Sequence, residues 1–363
     1  MMIKKINFKD YKKLKNFAKK NISNWDVPNY NNWKSIWDQY PESKIKSPCG
    51  DILISKKKIV GYQTYFQKII LYKNKEFKVN VHSNWLVKKK YRSKSLSLIN
   101  KYFKDKADIY LTSTGSKEAS QIWKIFGAHE VNAINCKKVY YKIFKINSFI
   151  RSYLRWKNIN FIPNFFTNLF SIILQVIFFK KFYITKEKNL FSTKNCLIKN
   201  LAEIEKFNLI YEKQLIYPTE KRSNKHLDWY LNIIKYNKKI KIIKILYKKN
   251  IIGYFVLALT KNSKLKLKTI YLAEIRIFKK YNKFLKNILL EIEGYSKKTG
   301  YDVLEYRNLN NFYKKYFNFN NYFQRTMDHN SYMLKFSSTI NLSDKRKFLN
   351  NFHTSYLDGD NLL

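Results

Sequence analysis

Hydrophobic and polar positions alternate with a readable period along most of the chain. Near the N-terminus, Ile3–Ile6 reads as a short strand leading into a polar helix. Ile52–Ser55 and Ile59–Leu71 read as the arms of a hairpin closed by Lys-Lys-Lys. Gly61, inside the second arm, marks a bulge or a close backbone approach. Glu76–Val87 predicts a longer strand, with Val79, Val81, Trp85 and Val87 on one face at period two. Beyond it, Leu98, Ile99, Tyr102 and Phe103 form a helical stripe. A strand over Asp108–Thr112, a helix over Glu118–Phe126 and closing strands to Phe144 complete the series.

The same order then returns. Ile243–Tyr247 and Ile251–Leu259 form a second hairpin, Ile270–Phe278 a second long strand, and Phe284, Leu285, Ile288, Leu289 and Ile292 a second stripe. Asp302–Tyr306 is a strand and Asn311–Tyr316 a short helix. The copies share local sequence. Leu53-Ile-Ser-Lys-Lys-Lys-Ile-Val-Gly61-Tyr62 resembles Ile245-Leu-Tyr-Lys-Lys-Asn-Ile-Ile-Gly253-Tyr254 at an offset of 192 residues, and Trp37 falls on Trp229 at that offset. Ile3–Leu14 falls near Leu197–Phe207, and Ala107–Leu111 near Tyr301–Glu305. Matches in one order at nearly one offset indicate an internal repeat, and the alternation of strands and helices indicates an α/β fold over mixed sheets. The expected organisation is a first unit over 1–146, a connecting segment over 147–192, a second unit over 193–337 and a tail over 338–363.

The connecting segment has its own pattern. Residues 161–179 carry no charge, contain Pro163, Asn164, Asn168, Ser171 and Gln175, and lie between Arg151, Arg155 and Lys157 on one side and Lys180 and Lys181 on the other. Three arrangements fit: a helix buried between the units, a helix in a membrane interface, or a span weakened by its polar residues.

Composition changes the picture in one respect. The 363 residues carry a formal charge of +47, yet Lys, Asn, Ile, Tyr and Phe are all inflated and only eight of the 72 basic residues are arginine. That reads as a coding bias and a solvated lysine surface, because nucleic-acid binders favour the arginine fork. Cys49, Cys136 and Cys196 are too few and too scattered for a disulfide framework or a zinc site, which points to a reducing, cytoplasmic setting. No signal-peptide core opens the chain. No Walker loop, nucleophile elbow or metal-ligand spacing is present, so no metal is expected.

The stretch Leu86-Val87-Lys-Lys-Lys-Tyr91-Arg92-Ser93-Lys94-Ser95-Leu96-Ser97 resembles the strand, basic turn and helix start of the GNAT (GCN5-related) acyltransferases, as does the order of elements across nearly the whole chain. The implied fold is two tandem GNAT-like mixed-sheet units joined by an apolar helical segment. The resemblance implies acetyl-CoA or another acyl-CoA as cofactor, its pyrophosphate at Leu86, Val87, Arg92, Ser93, Lys94, Ser95, Leu96 and Ser97. A helix start suits an anion, and five of the seven residues from Lys88 to Lys94 are basic. Serines stand at two positions where the family has glycines. Ser116–Gly127 resembles the family's late helix, but Trp123 occupies the place of its general-acid tyrosine, and an indole does no acid–base work at neutral pH. His82, with Asn84 beside it, lies where the family holds a base or a substrate contact. In the second copy, Glu274 and Tyr313 would make a chemically sensible base and acid, although that copy has no pyrophosphate-like pattern.

Trp33–Pro41, echoed by Leu227–Leu231, and the closing His353–Asp360, whose Asp358 and Asp360 suit a cation or an amine, resemble tandem GNAT-like proteins encoded with bacterial surface-polysaccharide genes. That resemblance implies an acyl-CoA-dependent N-acyltransferase acting on an amino sugar, a sugar nucleotide or a similar small amine. The alternatives are a FemABX-like aminoacyltransferase using charged tRNA and a lipid-linked acceptor, whose helical hairpin is not visible here, and a catalytically silent GNAT-fold binding protein. Outside the tRNA alternative no nucleic acid is expected. Residues 161–179 offer a peripheral contact with the inner face of the membrane.

Overall fold

A computed structural model describes residues 1–21, 30, 34, 50–114, 116–131, 138–159, 162–178, 202–215, 217–223, 225–229, 240–262, 265–306, 321–326, 331–340, 343 and 345–352. Trp37, Tyr313, Asp358, Asp360 and the helix read over 311–316 lie outside the described residues.

The first half runs β1 (Met2–Lys5), α1 (Tyr11–Asn21), β2 (Gly50–Ser55), β3 (Lys58–Tyr72), β4 (Lys75–Val87), α2 (Ser95–Tyr102), β5 (Ile109–Thr114), α3 (Lys117–Ile125), β6 (His129–Val131) and β7 (Lys138–Ile143). Next come α4 (Ile146–Trp156) and α5 (Asn164–Ile177). The second half runs α6 (Ala202–Lys213), β8 (Thr219–Glu220), β9 (Ile240–Tyr247), β10 (Asn250–Asn262), β11 (Leu267–Ile277), α7 (Leu285–Lys298), β12 (Val303–Tyr306), β13 (Phe323–Thr326), β14 (Ser331–Phe336) and α8 (Lys345–Asn351).

Two mixed sheets result. One has the order β1-β2-β3-β4-β5-β14-β6, with β8 pairing β3; the other has the order β13-β7-β12-β11-β10-β9. The halves therefore exchange their closing strands. β14 lies antiparallel between β5 and β6 of the first sheet, while β7 lies antiparallel between β12 and β13 of the second. One residue type makes the two insertions equivalent. The Asp108 carboxylate accepts from the Lys78 amide (2.7 Å), as that of Asp302 does from Lys268 (2.8 Å). The carbonyls of the same aspartates then accept from Ser337 and Phe144, the residues that follow the exchanged strands. The described part of the segment expected as a tail, up to residue 352, packs on the first sheet. Helix α8 puts Phe348 into the first sheet's core with Phe77, Leu111 and Leu334.

The second sheet packs Leu285, Ile288, Leu289 and Ile292 of α7 on one face and Ile204, Phe207 and Tyr211 of α6 on the other. The first sheet carries α1 on one face, through Leu14 and Phe17. On its other face sits an aromatic core of Tyr65, Tyr102, Tyr110 and Trp123. The expectation that Val79, Val81, Trp85 and Val87 share a face is corrected. Gln63 pairs Trp85 and Tyr65 pairs His82, so Ser83 and Asn84 together oppose Thr64. That bulge reverses the alternation: Val79 and Val81 join Phe348, whereas Trp85 and Val87 pack beside Leu98 of α2.

Candidate functional site

The site follows from where β4 stops having a neighbour. Its parallel pairing with β5 ends at His82 opposite Thr112, yet β4 continues to Val87. Over Ser83–Val87 the two strands part. The bulge lies at the parting. There the Asn84 amide and Nδ2 each donate to Thr64 Oγ1 (3.3 Å), Nδ2 also donates to Ser83 Oγ (3.0 Å), and the two hydroxyls are 3.1 Å apart. Past Val87 the chain enters a tight turn, Lys89–Lys94, that feeds α2. The Lys88 amide donates to Val60 (2.9 Å), and Gly61 makes that approach possible. A Cβ there would stand 2.8 Å from Val87 Cγ2.

The sequence-derived cofactor residues all gather here. Leu86 and Val87 end the strand half-buried, while Arg92, Ser93, Lys94, Leu96 and Ser97 are exposed and Ser95 is buried. The two serines in the glycine positions are already engaged: Ser95 Oγ donates to the Arg92 carbonyl and Ser97 Oγ to that of Lys94, both at 2.6 Å. The groups turned to solvent are thus the side chains of Lys89, Lys90, Arg92 and Lys94 at a helix start, a suitable setting for a polyanion. Tyr91, whose hydroxyl bonds Ser55, has its pKa lowered chiefly by that bond.

His82 does not open onto this site as a base. Its ring is boxed by Tyr102, Trp123 and Trp85 at centroid distances of 5.1, 5.8 and 6.1 Å. Among the described residues its Nε2 finds no hydrogen-bond partner. Burial pushes the imidazole down to about 3, so it is neutral and weakly basic. Trp123, 1% exposed, fills the same box.

The second half repeats the backbone without the opening. Pairing of β11 with β12 ends at Leu272, a bulge falls at Ala273–Glu274, and a turn over Lys279–Phe284 leads into α7. The amide of Phe278 donates to Ile252, as that of Lys88 does to Val60. The second copy thus keeps a turn that its sequence does not announce, but Ala273–Ile277 are buried throughout. Glu274, expected as a base, is tied at both oxygens. Arg222 Nε lies 3.0 Å from one and Arg276 Nε 2.9 Å from the other. A carboxylate so held is committed as the ion-pair partner of two guanidinium groups. The network extends through Glu220 to Lys68 of β3 (3.1 Å), and from Arg276 to Glu212 (3.3 Å). It joins the two sheets, and no motif in the sequence signalled it. Equally unsignalled is the buried Glu293, which accepts from Tyr306 (3.3 Å) and Tyr322 and lies 4.0 Å from Lys142 of the exchanged strand β7. Burial holds its carboxyl above the usual range.

Solved structures share the overall fold. A yeast (Saccharomyces cerevisiae) N-myristoyltransferase with bound myristoyl-CoA matches over 97% of this chain and 86% of its own, with a TM-score of 0.57 at 12% identity. A GCN5-related N-acetyltransferase from Anabaena variabilis matches over 92% and 72%, at 0.55 and 9%. A conserved Enterococcus faecalis protein described as a probable N-acyltransferase matches over the same shares, at 0.56 and 8%. The fold is the GNAT acyltransferase fold. No family model and no curated protein matches in sequence. In the second unit the strand end corresponding to the parting of β4 from β5 is buried, whereas in the first it is half-buried.

Proposed function

We propose that the chain is an acyl-CoA-dependent N-acyltransferase whose first unit takes the cofactor and whose acceptor is an amino sugar, a sugar nucleotide or a similar small amine, with surface polysaccharide as its setting. One observation carries this reading: β4 outruns its pairing with β5 and delivers a turn with four exposed basic residues to a helix start. The residues present suit the cofactor. Lys89, Lys90, Arg92 and Lys94 would hold its phosphates, and the backbone of Ser83–Val87, unpaired on the β5 side, would lie along its arm. Bound there, acyl-CoA supplies an activated thioester. The chain's own contribution is position. The Thr64, Ser83 and Asn84 cluster presents polar groups at the parting, and the aromatic box behind it excludes water. His82 and Trp123 move no proton.

The test is calorimetry with acetyl-CoA and longer acyl-CoAs. Reversing the charge of Lys89, Lys90 and Arg92 together is expected to weaken binding at least about tenfold, while reversing Lys279, Lys280 and Lys283 leaves it unchanged. Absence of both binding heat and thermal shift in the unaltered protein would end the proposal. A second reading, a GNAT-fold protein that binds acyl-CoA without turning it over, is favoured by the burial of Trp123 in the general-acid position. Thiol release across a panel of amino sugars and sugar nucleotides separates the two.

A further inference from the structure

Helix α5 reverses the usual arrangement of a surface helix. Its buried side chains are Thr167 and Ser171. Thr167 Oγ1 donates to the Asn164 carbonyl (2.8 Å); Ser171 Oγ donates to that of Thr167 (2.6 Å) and to Asn147 Oδ1 of α4. Apart from half-buried Leu174, the side chains of α5 that pack on the protein are therefore polar. The other apolar residues face outward, among them Phe165 (70% exposed), Phe166 (58%), Phe170 (53%) and Val176 (74%). At 3.6 residues per turn, positions 165, 166, 169, 170, 172, 173, 176 and 177 sweep an arc of about 160°. An uninterrupted apolar face of that width marks an interaction surface. It also corrects one of the three expectations for this segment, since a helix buried between the units would hide these side chains.

Charge decides what covers the face. Exposed Lys157 follows α4, Arg151 and Arg155 stand half-buried on it with Arg155 donating to the Leu265 carbonyl (3.0 Å), and Lys180 and Lys181 follow α5 in sequence. Exposed Tyr153 and Trp156 stand on α4, with Lys157 Nζ 4.4 Å from the Trp156 ring. Aromatic rings beside cations are the residue types that settle at headgroup depth. Pairing this face with a second copy would bring together two chains of formal charge +47, whereas an anionic bilayer attracts it. At 14 residues, about 21 Å, α5 is too short for a hydrocarbon core of about 30 Å. Among the described residues no helix is long and apolar enough to cross a membrane. We propose that α4 and α5 form a docking surface for an anionic lipid bilayer, with α5 lying in the interface, its phenylalanines among the acyl chains and the flanking cations at the phosphates.

The test uses the full chain, sedimented with vesicles of phosphatidylcholine alone or with about 30 mol % phosphatidylglycerol. The expected result is about tenfold stronger partitioning onto the anionic vesicles, weakening with salt. The triple variant Phe166→Ser, Phe170→Ser, Ile173→Ser is expected to lose about tenfold, and Ile125→Ser, exposed on α3, to lose nothing. All four residues are exposed, so the melting temperature should hold. Full binding by the triple variant would overturn the proposal and assign the attraction to lysines elsewhere. So would absence of binding to anionic vesicles; sedimentation velocity would then show whether a second copy covers the face.

Discussion

If the halves truly exchange strands, cutting the end of the second half must unfold the first. A chain stopped after residue 330 lacks β14 and α8. Tyr332, Met333, Leu334 and Phe336 are all buried in the first sheet, and at about 1.5–3 kcal/mol each their burial amounts to about 6–12 kcal/mol. Phe348 adds to that sum. A whole domain is stable by about 5–15 kcal/mol, so the loss is comparable to the whole stability of the first sheet and is expected to unfold it. β5 and β6 would also be left with the unpaired edges that β14 covers. The second sheet keeps β7 between β12 and β13 and should remain folded. Hydrogen exchange followed by mass spectrometry distinguishes the two halves. Peptides from β3, β4 and β5 are expected to lose protection while those from β9, β10 and β11 retain it. Protection retained in β5 and lost in β12 would show that each half closes its own sheet, and the topology described above would be wrong.

Three further outcomes follow from particular contacts. Arg276→Met takes one donor from each of Glu274, Glu212 and the Glu220 carbonyl, leaving Arg222 to hold Glu274 and Glu212, and should cost about 3–5 kcal/mol in denaturant unfolding, as breaking a buried pair does. Gly253→Ala should destabilise more than Gly61→Ala, because the added methyl meets the Arg276 carbonyl in one case and a movable Val87 methyl in the other; about 1–3 kcal/mol is expected for the milder clash, read as a shift in urea midpoint. His82→Phe should be tolerated near neutral pH and should change the acid response. The imidazole's pKa of about 3 when folded lies below its ordinary value of about 6.5, so the unfolded chain binds the extra proton between those limits. The parent protein's stability is then full above about pH 6.5 and falls as pH drops toward 3, by about 1.4 kcal/mol per unit relative to the variant. Parallel pH profiles for the two proteins would contradict the burial of a neutral ring.

Much of the fold was legible because it rests on local pattern. Both hairpins, both long strands and the α7 stripe are set by side-chain period, and their bounds fall within a few residues of those read from sequence. What escaped depends on partners remote in the chain. The face reversal at Ser83–Asn84 needs the β3 register, since a bulge leaves the run of apolar residues intact. The strand exchange needs knowledge of which sheet accepts Lys138–Ile143 and which accepts Ser331–Phe336, and both segments read as ordinary closing strands. Glu274 illustrates the same limit at the candidate site. A strand glutamate near a cleft looks like a base until two arginines, one of them 52 residues earlier in the chain, are seen to hold it. The turn before α2 was readable because an exposed basic run at a helix start depends on nothing distant.

The strand exchange also accounts for the difference between the two strand ends. With each closing strand in the other's sheet, the halves cannot separate without unfolding, so the surface between them is permanent and can bury charge. The second strand end lies beside that surface. β8 pairs with β3 of the first sheet, and Glu220 at its end meets Lys68 and Arg222, bringing Arg222 onto Glu274 at the second bulge. The position that carries Asn84 in the first unit thus carries a buried ion-pair partner in the second. Joining the sheets buried the strand end at Ala273–Ile277, so although the turn is exposed on both sides, only in the first unit is the strand end leading into it half-buried instead.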